Sequence, residues 1–117
     1  MLETLLSVQG QPGQPVTGLV FRGLSFAHAA WNGPNTADGY VADQSGQLLR
    51  GTGYPFSAIG HQKVVFSTPG NVQVSHAQGV VFEGNRFERL GGVGLMLGPG
   101  AQDTRVVGNR FTDIASA

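Results

Sequence analysis

The chain has 117 residues, with seven basic and seven acidic side chains and a formal net charge of zero. That length supports one small domain, and the dispersed, balanced charge argues against nucleic acid or an anionic membrane as the main partner, since both need a basic patch. With no cysteine there is neither a disulfide nor a Cys-based metal site, and no run approaches the roughly 18 apolar residues of a membrane span.

Met1 to Leu6 lacks the basic start and long apolar stretch of a signal peptide. Leu5 to Val8 reads as a strand, and Gln11-Pro12-Gly13-Gln14-Pro15 as the corner after it. Leu19-Val20-Phe21-Arg22-Gly23-Leu24-Ser25-Phe26 has the pattern of a later segment, Val80-Val81-Phe82-Glu83-Gly84-Asn85-Arg86-Phe87. A long excursion follows, from about Ala30 to Pro69. Val72-Gln73-Val74 is the next strand, and Ser75 to Gly79 the next corner.

In the clearest coil, Val80 to Glu83 alternates between two faces, with Val80 and Phe82 on one of them. Gly84-Asn85 turns the chain, because both residues tolerate positive φ. Arg86 to Leu90 is a further strand, Gly91-Gly92 reads as a corner, and Val93, Leu95 and Leu97 alternate inward. Gly98 to Asp103 is another corner, after which Gly108-Asn109-Arg110-Phe111 repeats Gly84-Asn85-Arg86-Phe87 at a distance of 24 residues. A fixed period in the low twenties marks a solenoid.

Stacking the copies at the ~4.8 Å strand spacing predicts columns. Phe26, Phe87 and Phe111 form one inward column, Phe21, Phe82 and Val106 a second, and Leu19, Val80 and Thr104 a third. Asn85 and Asn109 stack at a corner, where side-chain amides can bond along the column. Arg22 lies over Glu83 as a surface pair.

The order of apolar strand, Gly-Asn corner, Arg-Phe and alternating strand resembles right-handed parallel β-helix proteins, which include pectate-lyase-like and glycoside-hydrolase-like bacterial secreted proteins. Pro15 to Trp31 and Asn71 to Ile114, about two thirds of the chain, carry the resemblance. It implies an all-β, right-handed parallel β-helix (a solenoid) over residues 1–117, with three sheets. About two and a half coils and one long inserted loop are expected. It also implies that the chain is a fragment of a secreted, extracellular carbohydrate-active protein. The expected partner is a polysaccharide or oligosaccharide, and uncapped coils invite end-to-end self-association.

The candidate chemistry is thin. Glycoside hydrolysis uses a pair of carboxylates, whereas the outward positions of the first sheet read Leu5 or Ser7, Gln73 and Ser75, then Gly94 and Met96. None is acidic, so no catalytic residue is assigned and the chain alone is expected to be inactive. Asp103 and Asp113 read as corner residues, Glu83 and Glu88 as solvated charges, and His28, His61 and His76 lack metal-motif spacing. No metal or cofactor is expected. Long excursions on rigid scaffolds are commonly functional, and sugars stack on aromatic faces. Trp31 and Tyr40, with Asp38, Asp43 and Gln44, are therefore the candidate wall of a glycan groove. The alternative is a non-catalytic glycan-binding, adhesin-like or structural module.

Overall fold

A computed structural model describes residues 1–33, 42–43, 47–50 and 64–116. Short strands dominate. The first turn of the chain contains β1 (Leu6–Gln9), β2 (Val16–Thr17), β3 (Val20–Arg22) and β4 (Ser25–Ala29). The excursion contributes β5 (Ala42–Asp43), β6 (Gln47–Arg50) and β7 (Val64–Ser67). The second turn holds β8 (Val72–Ser75), β9 (Ala77–Gln78), β10 (Val81–Glu83) and β11 (Arg86–Val93). The third holds β12 (Met96–Leu97), β13 (Ala101–Gln102), β14 (Arg105–Val107) and β15 (Arg110–Ser116).

These twelve solenoid strands stack into four parallel three-stranded sheets, β1-β8-β12, β2-β9-β13, β3-β10-β14 and β4-β11-β15. The second turn is central in every sheet. We call the three turns coils 1, 2 and 3. The layout is all-β and solenoid-like, as the repeat predicts, but two details differ from expectation. Three coils are present instead of two and a half, because Leu6–Gln9 and Met96–Leu97 both pair with β8. A fourth sheet also appears where only corners were expected, since Val16, Ala77 and Ala101 come into register.

The predicted columns are in register. Phe26 and Phe111 stack on Phe87 with ring centroids 5.0 and 4.5 Å away, and Phe21 stacks on Phe82 at 5.0 Å. Phe82 and Phe87 are themselves in tilted contact at 6.3 Å, so the two aromatic columns join in one core. That core contains Val8, Ala29, Val72, Val74, Ala77, Val80, Phe82, Phe87 and Leu90. Seven of these nine lie in coil 2, because only a central coil has its apolar face covered from both sides.

Corners form columns too. Gly23, Gly84 and Gly108 share φ values of 66°, 63° and 64°, a region open to glycine at no steric cost. Asp103 continues the Gly18 and Gly79 corner at φ 52°. His28, Arg89 and Asp113 stand opposite one another within the β4-β11-β15 sheet, at φ 61°, 53° and 56°. His and Asp are among the side chains that tolerate this conformation best. Asp103 is thus a bend residue, as its sequence context suggests, whereas Asp113 lies inside β15 and is not at the corner expected for it.

The expected corner at Gly91-Gly92 is not one. Both residues lie inside β11, where the pairing register shifts between Leu90 and Val93. The reason is crowding, for an added Cβ on Gly91 would lie 2.8 Å from the Trp31 backbone nitrogen, and one on Gly92 would lie 2.5 Å from the Pro69 carbonyl oxygen. Val93 and Leu95 are partly buried, while Leu97, in register with buried Val74, is 47% exposed at the stack's edge.

The Asn85 and Asn109 amides do not bond to each other, contrary to expectation. Each reaches back one coil to backbone groups. Asn85 Oδ1 accepts from Leu24 N at 2.9 Å, and its Nδ2 donates to Phe21 O at 2.9 Å. Asn109 Oδ1 accepts from Asn85 N, and its Nδ2 donates to Phe82 O, both at 2.8 Å. Arg22 pairs with Glu83 at 2.8 Å as predicted.

Candidate functional site

The excursion leaves the solenoid after β4 and meets it again at Thr68 to Asn71, and one buried side chain organises that junction. Asn71 is 1% exposed. Its Nδ2 donates to Glu3 O at 2.6 Å and to Ala30 O at 3.0 Å, while its Oδ1 accepts from Gly92 N at 2.9 Å. Its backbone adds Leu5 N→Asn71 O and Asn71 N→Val93 O, each 2.8 Å. A buried amide with its groups satisfied holds position, whereas an unsatisfied one would be costly. Asn71 therefore ties together the N-terminal segment, the exit of coil 1 and the end of β11. In the sequence it stands directly before the strand expected at Val72, with no role assigned to it. The available signal was Pro69-Gly70-Asn71, a turn triplet directly before an apolar alternation.

Beside this junction, Trp31 is half-buried, and its indole lies against Gly33, where an added Cβ would fall 2.4 Å from Nε1. Asn32 N donates to Glu3 Oε1 at 2.6 Å, fixing the chain just beyond the ring. Trp31 is thus set on a rigid base beside Gly91. Asp43 lies in β5, opposite Gln47 in an antiparallel pair. The excursion accordingly carries a small antiparallel sheet, β5-β6-β7, and is more than a simple loop. Asp38, Tyr40 and Gln44 lie outside the described residues, as does His61.

The outward face of the first sheet aligns Ser7, Gln73 and Met96 in one row, with Gln9 beside Ser75. Gln73 Nε2 donates to Gly70 O at 2.7 Å, directing that amide towards the junction. No carboxylate stands in the row. Among the described residues, no three His, Asp or Glu side chains gather as metal ligands would. Comparison with protein-family models, with curated proteins and with solved structures gives no match to this chain. Any functional reading therefore rests on these residues alone.

Of the surface hollows among the described residues, two border the repeated Gly-Asn-Arg-Phe segments. A polar one of about 280 Å³ follows the glycine corner past Ser25, Arg86 and Arg110. An apolar one of about 520 Å³ opens on coil 3 between Val93, Leu95, Phe111 and Ile114. The first is a shallow solvated corner. The second is the uncovered end of the core.

Proposed function

We propose that this chain is a segment of a right-handed parallel β-helix, acting as a non-catalytic scaffold within a secreted carbohydrate-active protein. Trp31 contributes one wall of a glycan groove at the base of the excursion. The observation that carries the non-catalytic part is the outward row Ser7, Gln73, Met96 on the first sheet. It offers hydrogen-bonding groups and a thioether but no acid or base for glycosidic cleavage. Support for a carbohydrate ligand comes from half-buried Trp31 on its hydrogen-bonded base and from the resemblance of the repeat pattern to that of carbohydrate-active β-helices. The same acid-free row also favours a second reading, an adhesin-like or purely structural module.

A glycan array probed with the wild-type chain and with Trp31→Ala separates the two. Binding that weakens about tenfold on substitution, roughly 1.4 kcal/mol, supports the groove. Binding that is absent, or indifferent to the substitution, sinks the aromatic platform and leaves the structural module.

A further inference from the structure

The asparagine corner has a direction. Asn109 clasps coil 2, Asn85 clasps coil 1, and in each case the amide reaches from the later coil to the earlier one. Each clasp fills the same two backbone groups, the N–H at the corner and a carbonyl three residues before it. Leu24 N and Phe21 O are filled by Asn85, and Asn85 N and Phe82 O by Asn109. Their equivalents on coil 3 are Asn109 N–H and the Val106 carbonyl. Among the described residues no side chain clasps this pair.

The rest of the coil 3 face is just as specific. Phe111 is 45% exposed, Val106 42% and Leu97 47%, while the residues that precede them in the same columns, Phe87, Phe82 and Val74, are 0%, 0% and 1% exposed. The face thus displays an aromatic ring stacked on one side only, an apolar hollow and one unfilled donor–acceptor pair at the spacing of an asparagine amide.

Coil 1 ends the ladder differently. Leu24 occupies the asparagine position and is 46% exposed. Its own N–H is satisfied by Asn85, but its side chain cannot accept from or donate to anything beyond. Were a second copy to stack head to tail, Phe26 would fall on Phe111 and Phe21 on Val106, continuing both columns. Leu24 would then face Asn109 N–H and the Val106 carbonyl and bury them unanswered, which is costly for backbone polar groups.

We infer that the coil 3 face is a socket for a parallel β-coil with an asparagine corner, and that Leu24 holds copies of this chain back from occupying that socket head to tail. The inference rests on the stacked-coil layout and is independent of the carbohydrate reading. The end-to-end association that uncapped coils invite then depends on residue 24. Such a contact is heterologous and non-closing, so once permitted it propagates beyond a dimer.

The test is sedimentation of the full chain over a concentration series for wild type, Leu24→Asn, Leu24→Asp and Leu24→Ala. Leu24→Asn should associate at least about tenfold more tightly than wild type and form species larger than dimers, with slowed hydrogen exchange at the Asn109 amide. Leu24→Asp, which supplies the acceptor without the donor, should gain less, and it keeps the test open should Leu24→Asn fold poorly. Leu24→Ala should behave as wild type. Association of Leu24→Ala as strong as that of Leu24→Asn would show that leucine bulk, not the missing amide, controls stacking. Wild type that already polymerises as strongly, or a folded Leu24→Asn that gains nothing, would equally overturn the inference.

Discussion

Coils 2 and 3 contain the same tetrapeptide, Gly-Asn-Arg-Phe, in the same sheet positions, yet the two copies live in different surroundings. Phe87 is fully buried between two stacked rings, and Asn85 both gives and receives a clasp. Phe111 has a ring on one side only, and Asn109 gives a clasp without receiving one. Among the described residues, the buried side-chain polar atoms without a hydrogen bond, Thr104 Oγ1 and Ser116 Oγ, both belong to coil 3. The difference is positional. A solenoid repeat buries its face only against neighbours, so identical residues contribute unequally according to their place in the stack.

The largest expected effect follows directly. Phe87→Ala should destabilise by about 3–5 kcal/mol, as a core cavity does, whereas Phe111→Ala should cost under about half of that, because its exposed side forms no cavity. Chemical denaturation of both variants gives the comparison. Equal losses would mean that coil 3 is covered in solution, and a Phe87→Ala loss below about 1 kcal/mol would show that the ring column is wrongly placed.

The asparagines give a smaller contrast. Asn85→Ala removes the clasp on coil 1 and leaves Leu24 N–H without its acceptor; Asn109→Ala does the same to the Asn85 N–H in the core of the stack. Each should cost about 1–3 kcal/mol, the range for orphaning partly buried backbone groups. The greater loss should come from Asn109, since Asn85 is 2% exposed and Leu24 46%. The expected order thus reverses that of the phenylalanines. An Asn85→Ala loss that exceeds the Asn109→Ala loss would show that the clasp does not point backwards along the stack.

How much of this was legible beforehand depended on whether a residue's type had one dominant use. The phenylalanine columns, the Gly-Asn corner and the Arg22–Glu83 pair could be read directly, because apolar alternation and turn chemistry each point one way. Gly91-Gly92 was misread because glycine has two uses, positive φ and close approach, and only the second operates here. The fourth sheet was hidden because two-residue strands such as Ala77–Gln78 are too short to show alternation. Arg89 carried no signal for its left-handed backbone, unlike His28 and Asp113 in the same column. Of the candidate groove, Trp31 was identifiable as an aromatic beside a long excursion. The role of Asn71 was not, since its partners Glu3, Ala30 and Gly92 are distant in sequence and meet only through stacking.

The smallest predicted effect sits on the outer surface, where the coils compare differently. Glu83 in coil 2 is bracketed in its column by Arg22 from coil 1 and Val107 from coil 3. Arg22 and Glu83 side chains are 70% and 46% exposed, so solvent screens their attraction and the pair contributes at most about 1 kcal/mol. Arg22→Ala should therefore shift the denaturation midpoint only slightly, and less at high salt. Val107, 45% exposed, leaves the other side of Glu83 uncharged. Val107→Arg would place a second cation there, on the end coil and in the register Arg22 already uses. Its expected gain is a few tenths of a kcal/mol at low salt, vanishing near 1 M. A salt-independent change of either sign would show that Val107 acts through packing, so that coil 3 is less solvated than its exposed rings imply.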